Sequence, residues 1–186
     1  RGMGGLSGMV MGSVSASVVS HASCPVVVVR EDNHVTDSTK YGPVVVGVDG
    51  SEVSQKATSY AFREAQARGA ALIAVHTWMD MQVQASLAGL SAAQSEWADI
   101  EKEQSELLTE NLKEPREEYP EVEVKKLITR DRPVSALTEA AEGAQLLVVG
   151  SHGRGGFKGM LLGSTSRALL QSAPCPMMVV RPDEED

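Results

Sequence analysis

The chain has 186 residues, a formal net charge of −8, 42% hydrophobic residues and only 4% aromatic residues. This length allows one full domain with residues to spare, and the acidity argues against general nucleic-acid binding. No apolar run in the sequence is as long as a membrane span, and two cysteines without a disulfide framework indicate a reducing compartment, so we expect a cytoplasmic protein without a membrane partner.

Residues 1–30 repeat residues 152–181. Aligned at a shift of 151, the two segments share 14 of 30 residues without a gap, whereas chance would give about two. The shift is close to one domain length. We therefore expect residues 1–30 to be the C-terminal remnant of a first domain copy, and the chain to be part of a tandem protein truncated at its N-terminus. A deliberately cut fragment is the alternative.

A linker, a complete domain and an acidic tail are predicted to follow, at 31–42, 43–182 and 183–186. The complete domain opens with the strand PVVVGV, and the triplet Asp49-Gly50-Ser51 comes directly after it. Open α/β sheets bind ligands at the carboxyl ends of their strands, which favours a binding role for this triplet. Asp49 or Ser51 could instead cap the helix predicted from about Ser54 to Ala67.

The second predicted strand, ALIAVHT, covers residues 71–77 and ends at Thr77. We interpret His76 as a structural histidine of this strand, because no nucleophile is evident nearby.

The middle of the chain contains a segment of uncertain form and three further elements. Residues 79–93 fit a loop with some helix, and a long polar helix with an apolar stripe is predicted over about 95–116. The strand at 122–129 carries lysines, as edge strands do. Pro133 lies in the first turn of the next predicted helix.

The most informative stretch begins with the apolar strand at 146–149, which breaks at Gly150. Six glycines fall within the fourteen positions 150–163, and Ser164, Thr165 and Ser166 then begin a predicted helix. Glycines let backbone N–H groups approach a phosphate, and the first turn of a helix leaves N–H groups unpaired. The stretch therefore indicates an anion site.

The charge pattern supports this interpretation. The segment 150–181 contains no Asp or Glu, although 25 of the 186 residues are acidic, so about four would be expected at average composition. It carries four basic residues, Arg154, Lys158, Arg167 and Arg181. Arg154 and Lys158 are candidates for neutralising phosphates, with exposed solubilising charge as the alternative.

Two familiar phosphate motifs are absent from the sequence, the P-loop GxxxxGK[ST] and a GxGxxG that opens a helix directly after a strand. The pattern present is G-x2-G-x9-G-[ST], formed by Gly150, Gly153, Gly163 and Ser164. With these residues the chain resembles the universal stress protein family, in its ATP-binding branch. The resemblance covers about the last 140 residues and part of the first 30.

This resemblance implies an adenine-nucleotide site. Asp49 and Thr77 would lie beside the adenine, and the glycines and the helix start would hold the ribose and phosphates of ATP, with Mg2+ as a candidate bridging ion. The implied binding residues are Asp49, Gly50, Ser51, Thr77, Val149, Gly150, Gly153, Arg154, Gly163, Ser164, Thr165 and Ser166. Asp131 stands where many members of the family have glycine, at the rim of the expected pocket.

Strands that alternate with helices predict an α/β fold with a doubly wound, five-stranded parallel sheet in the order 3-2-1-4-5, similar to adenine-nucleotide alpha-hydrolases. The last strand would be an exposed apolar edge. Family members often pair this strand across a two-fold axis. We therefore expect residues 26–30 to pair with 177–181, as a tandem pseudo-dimer within one chain or as a homodimer.

Three functions are compatible with these residues. The leading hypothesis is an ATP-binding regulator of the stress response, or energy sensor, with slow ATP hydrolysis at most. The alternatives are a weak ATPase or nucleotidyl-transfer enzyme, with Asp49 as its only candidate base or metal carboxylate, and an interaction module without nucleotide.

No dedicated catalytic centre or metal site is predicted. Ser51, Ser151 and Ser164 are candidate nucleophiles by residue type alone, because no histidine–acid pair can be assigned to them. His152 could touch a phosphate or simply lie exposed in the loop. Cys24 and Cys175 occupy the same repeat position, which favours a small buried residue over a disulfide or metal pair.

Overall fold

A computed structural model of the protein describes residues 12–30, 33, 41–78, 94–154 and 161–182. The segment 79–93, Lys158 and the acidic tail, on which predictions were made above, lie outside the described residues. The described elements in chain order are α1 (Ser13–His21), β1 (Val26–Val28), β2 (Val44–Gly47), α2 (Glu52–Arg68), β3 (Leu72–Thr77), α3 (Gln94–Glu118), β4 (Val124–Thr129), α4 (Pro133–Ala140), β5 (Leu146–Gly150), α5 (Ser164–Ser172) and β6 (Met177–Val180).

The strands form one α/β sheet of six strands in the order β1-β6-β5-β2-β3-β4. All neighbours are parallel except β1 and β6, which pair antiparallel with Val27 opposite Met178. Among the strands of the complete domain, β4-β3-β2-β5-β6 are parallel neighbours in the predicted order 3-2-1-4-5. The sixth strand is β1, which covers the apolar edge of β6 within the same chain, in the segment where pairing of residues 26–30 with 177–181 was expected.

Alternate side chains of the strands point to opposite faces, and both faces are covered by helices. On one face, Val45 and Leu147 pack in a cluster with α4, α5 and Val19 of α1. On the other face, Val46 and Val148 pack with α2 and α3. Burial on both faces explains why these strands read as continuous apolar runs instead of alternating with polar residues.

Local signals explain the ends of α2. The hydroxyl of Ser51 accepts from the N–H of Ser54 at the start of the helix, and Gly69 ends it in the left-handed conformation with φ of 60°. Pro133 occupies the first turn of α4.

None of the helices in the described ranges is long and apolar enough to cross a membrane.

The chain runs from β2 through β3 to β4 on one side of the sheet, and then returns to β5 on the other side of β2. The order of the strands thus reverses between β2 and β5. In open α/β sheets such a reversal leaves a crevice at the carboxyl ends of the two strands. The candidate site lies there.

Candidate nucleotide site

A cavity of about 730 Å3 opens at the carboxyl ends of β2, β3 and β5. Its described wall consists of Gly47, Val48, Asp49, Ser54, Val75, His76, Thr77, Trp78, Pro133, Leu137, Val149, Gly150, His152, Gly153, Arg154, Gly163, Ser164, Thr165 and Ser166. Ligand pockets typically have volumes of about 300–1,000 Å3, so the cavity can take a small organic molecule.

One part of the cavity wall is apolar. Val75, Leu137 and Val149 are buried side chains of this wall. Trp78, only 2% exposed, extends the wall beyond β3 and carries the guanidinium of Arg130 at 5.0 Å from its ring centroid. A methyl group at Gly47 would lie 3.2 Å from Leu137 Cδ1, so a larger residue there would crowd this end.

The other end is built from the glycine-rich loop and the start of α5. The N-cap residue of this helix is Gly163, and no side-chain cap is present among the described residues. The first-turn N–H groups of such a helix attract anions through unpaired donors and the positive end of the helix dipole. The N–H of Gly163 donates to Ser151 O at 2.7 Å, and the hydroxyl of Ser166 donates to Gly150 O at 2.6 Å. These two bonds hold the helix start against the strand end.

Asp49 joins the two strand ends across the crevice. Its Oδ1 accepts from the N–H and the hydroxyl of Ser51, at 2.9 and 2.7 Å. Its Oδ2 accepts from the N–H of Arg154 at 3.3 Å and lies directly against Gly153. The carboxylate thus fastens the glycine-rich loop to the end of β2.

Residue 50 has to be glycine for two reasons, its backbone conformation and its contact with Arg154. Its φ of 79° lies in the left-handed region, which side chains disfavour. The guanidinium of Arg154 packs over it, so that a Cβ at residue 50 would lie 2.6 Å from Nη2. This packing places a positive charge at the polar end of the cavity.

The cavity wall contains most, but not all, of the predicted binding residues. Ten of the twelve line the cavity, namely Asp49, Thr77, Val149, Gly150, Gly153, Arg154, Gly163, Ser164, Thr165 and Ser166. Gly50 and Ser51 are not among its wall residues: Gly50 makes the turn below Arg154, and Ser51 caps α2. Both act on the site through Asp49 and Arg154.

The sequence interpretation missed the apolar half of the site. Trp78, Pro133 and Leu137 line the cavity, although none was named as a binding residue. A usable signal existed, because Trp78 directly follows the strand end at Thr77. The i, i+4 spacing of Pro133 and Leu137 also puts them on one face of α4.

Neither a nucleophilic pair nor a metal centre faces the cavity within the described residues. Ser151 does have a histidine partner, since its hydroxyl lies 3.0 Å from Nδ1 of His152. However, Ser151 is fully buried and is not part of the cavity wall. The described ranges contain no group of three or more His, Cys, Asp or Glu side chains that could hold a metal ion.

The chain is similar to known proteins in both sequence and fold. The model of the universal stress protein family matches residues 1–30 and 40–181. The chain is similar to a universal stress protein of Mycobacterium tuberculosis, with 46% identity over 180 residues, which are 97% of this chain and 59% of the relative. The chain therefore spans about three-fifths of the length of the curated relatives it matches.

Two solved structures are also similar. UspA from Lactobacillus plantarum has a TM-score of 0.62 at 23% identity, over 76% of this chain and 98% of that chain, which shows the shared fold. A universal stress protein in complex with cAMP has a TM-score of 0.52 at 27% identity, over 75% of this chain and 96% of that chain.

Proposed function

Because the chain belongs to the universal stress protein family, we propose that its cavity binds an adenine nucleotide, ATP in the first place, and that occupancy regulates a response to stress or energy status. The observation that carries this proposal is the composition of the cavity. One end offers buried apolar side chains, and the other end offers the start of α5, which has no side-chain cap among the described residues. A nucleotide has a flat base and an anionic phosphate chain, which suit these two ends.

The base would lie in the slot between Val75, Leu137 and Val149, with Asp49 and Thr77 at its edge. The phosphates would lie on the loop from Gly150 to Arg154 and on Ser164 and Thr165. The similar protein that was solved with cAMP supports an adenine nucleotide as the ligand class.

Mg2+ would be held mainly by the phosphates and water in this arrangement. Asp49 is the only carboxylate on the described wall, and its oxygens already accept from Ser51 and Arg154. Mg2+ usually keeps several waters and substrate phosphates as ligands, so this arrangement does not require a bond from the ion to Asp49. The same shortage of free carboxylates favours binding over hydrolysis as the role of this site.

The proposal extends to a tandem architecture. Val18 and Val27 are 49% and 47% exposed. Their repeat equivalents Leu169 and Met178, 151 positions later, are 0% and 6% exposed because α2, α4 and β5 cover them. We therefore propose that the rest of a first domain copy covers α1 and β1 in the longer protein, and that β1 and β6 join two copies as a pseudo-dimer in the cytoplasm.

The function is tested by calorimetric titration with ATP, ADP, AMP and cAMP, with and without Mg2+. We expect one site per chain, and weaker binding by Gly153→Ala, because the added methyl group would collide with Oδ2 of Asp49. Gly12→Ala, at a glycine with φ of −58° and no described atom within 4 Å of an added Cβ, is the control for a glycine replacement away from the cavity. Failure of all four nucleotides to bind the unmodified chain would refute the proposed function.

A further inference from the structure

Two buried side chains form hydrogen bonds with the peptide unit between Val48 and Asp49, one with its carbonyl and one with its N–H. Its carbonyl, Val48 O, lies 2.7 Å from Nδ1 of His76 on β3. Its N–H, on Asp49, donates to Oγ of Ser54 on α2 at 3.0 Å. His76 and Ser54 are each only 3% exposed. The orientation of this one peptide therefore depends on two elements that are separate from the strand it ends.

The hydrogen bonds of His76 define its role. Val48 O can only accept, so Nδ1 carries a proton. Nε2 lies 3.0 Å from Oε1 of Gln104 on α3, a side chain that is also 3% exposed. A carboxamide presents either its acceptor oxygen or, with its two ends exchanged, its donor NH2 group to such a nitrogen. Gln104 thus holds the imidazole ring at Nε2, while Nδ1 of the same ring holds the carbonyl of Val48.

Ser54 is connected to the same network in a second way. Its N–H donates to Oγ of Ser51, and that hydroxyl donates to Oδ1 of Asp49. The backbone of Asp49 and its side chain are therefore fixed by one set of bonds. Rotating the Val48–Asp49 peptide would break the bonds to His76 and Ser54 together, at the residue whose carboxylate accepts from the N–H of Arg154.

We propose that His76 is a positioning residue for the nucleotide site: it fixes the Val48–Asp49 peptide, and thereby keeps the Asp49 carboxylate directed at the glycine-rich loop. His76 also forms part of the cavity wall, but its two ring nitrogens bond to Val48 and Gln104, so it acts through Asp49 instead of through a bond to the ligand. His76, interpreted from the sequence as a structural histidine of its strand, would thus have the specific function of fixing the Val48–Asp49 peptide. This inference rests on the proposed function for its effect on ligand binding, although not for its effect on the loop.

Two substitutions separate the two hydrogen bonds of the imidazole. In His76→Asn, the side-chain nitrogen is attached at the same atom as Nδ1 and can still donate to Val48 O. In His76→Gln, the amide reaches the position of Nε2 and can still contact Gln104, but the bond to Val48 is lost. Both variants replace the ring by a smaller amide, so each is the control for general loss of packing in the other.

The first measurement is amide hydrogen exchange in the protein without added nucleotide. We expect exchange at Asp49 and Arg154 to be at least about tenfold faster in His76→Gln than in His76→Asn, because local opening sets the exchange rate. Val46, inside β2, reports general loosening and should exchange alike in both variants. Ser54→Ala, which removes the other bond to the peptide, should accelerate Asp49 in the same way as His76→Gln.

The second measurement is the affinity for ATP with Mg2+. We expect His76→Asn to stay within about threefold of the unmodified chain, and His76→Gln to lose about tenfold or more, which corresponds to about 1.4 kcal/mol. Equal exchange at Asp49 and Arg154 in the two variants would overturn the inference, and so would equal affinities. If the unmodified chain binds no nucleotide, the proposed function fails, while the exchange data still decide the role of His76.

Discussion

The N–H of Arg154 donates to Oδ2 of Asp49 at 3.3 Å, across 105 positions of the chain. This bond joins the end of β2 to the glycine-rich loop after β5, on the two sides of the crevice where the strand order reverses. Ser51 orients the Asp49 carboxylate, so the position of Gly153 and Arg154 is set before a ligand arrives. Preorganised loops bind with a smaller entropic cost than loops that must be ordered by the ligand.

Asp49→Asn should therefore weaken binding of ATP with Mg2+. The new amide can keep an oxygen toward Ser51, but its NH2 group would then face the N–H of Arg154, and two donors cannot bond to each other. Losing a hydrogen bond to a charged group costs about 1.5–3 kcal/mol, which predicts an affinity loss of about tenfold or more by calorimetry.

Asp131→Asn is the matched control for this charge change. The Asp131 carboxyl accepts from the N–H of Arg132 at 2.6 Å, and it is not among the described wall residues of the cavity. This backbone bond, followed by the hydroxyl of Ser135, lowers the pKa of Asp131. Its replacement should leave the affinity for ATP unchanged, and an equal loss in both variants would point to overall charge instead of the loop contact.

Gly163→Ala should also weaken nucleotide binding. A methyl group there would lie 3.2 Å from Cα of His152 and 3.4 Å from O of Ser151, so the loop backbone would have to move. The backbone angles of Gly163, with φ of −68°, are accessible to alanine, and the effect therefore comes from crowding instead of strain. We expect a several-fold loss of affinity for ATP, measured by calorimetry.

Gly12 provides the control, because it occupies the same position in the repeat, 151 residues earlier. It is the N-cap residue of α1 with φ of −58°, and nothing lies within 4 Å of a Cβ built on it. Gly12→Ala should leave the affinity unchanged. If both replacements weaken binding alike, the close approach of Gly163 to His152 is not the cause.

The stability of the protein should fall as the pH rises from about 9 to about 11. The pKa of the Cys175 thiol is raised from its ordinary 9.0 to about 11, and burial is the largest cause. Between these values the unfolded chain loses the thiol proton while the folded chain keeps it, so the free energy of unfolding decreases with pH. Below pH 9 both states are protonated, and the contribution is fully present.

Thermal unfolding at pH 8 and pH 10.5 measures this slope, with Cys175→Ala and Cys24→Ala as the pair of variants. Cys24 is the repeat equivalent of Cys175 but is exposed. We expect the loss of stability between the two pH values to be smaller in Cys175→Ala than in the unmodified chain, and to be unchanged in Cys24→Ala.

A thiol reagent at pH 8 should modify Cys24 much faster than Cys175, because Cys24 is exposed, whereas Cys175 is buried and burial disfavours the reactive thiolate.

Two lysine substitutions test which strand of the repeat is covered in this chain. Val27 and Met178 are opposite each other in the pairing of β1 with β6, and are 47% and 6% exposed. Val27→Lys should change the free energy of unfolding by less than about 0.5 kcal/mol, as for most surface positions. Met178→Lys buries an unpaired charge in the core and should cost several kcal/mol, or prevent folding.

The proposed tandem architecture changes this expectation for the longer protein. In a chain that also contains the rest of the first copy, Val27→Lys should become about as damaging as Met178→Lys, because a strand equivalent to β5 would cover it. Chemical denaturation of both lengths provides the comparison. Tolerance of Val27→Lys in the longer protein would refute this arrangement of the two copies.

Local patterns were sufficient for the elements that position the site. The apolar run at 146–149, the break at Gly150 and the hydroxyl-rich start of α5 are all neighbours in sequence, and each has a short-range physical cause. Strand residues buried on both faces must be apolar, and the unpaired N–H groups of a helix start need an acceptor, either an anion or a capping side chain. The placement of the strand end and the helix start that line the cavity could therefore be predicted without knowing how the chain folds.

The tertiary structure decided which side chains meet. The contacts of Asp49 with Arg154 and of His76 with Val48 join elements far apart in sequence, and they depend on the parallel register of β2, β3 and β5. The same applies to Leu137 of α4, which reaches the cavity only because its helix packs across β2 and β3. Sequence periodicity determines which face of a helix or strand is apolar, because that depends on residues a few positions apart. It does not determine the partner across the crevice, because that depends on how separate elements are brought together by the folding of the whole sheet.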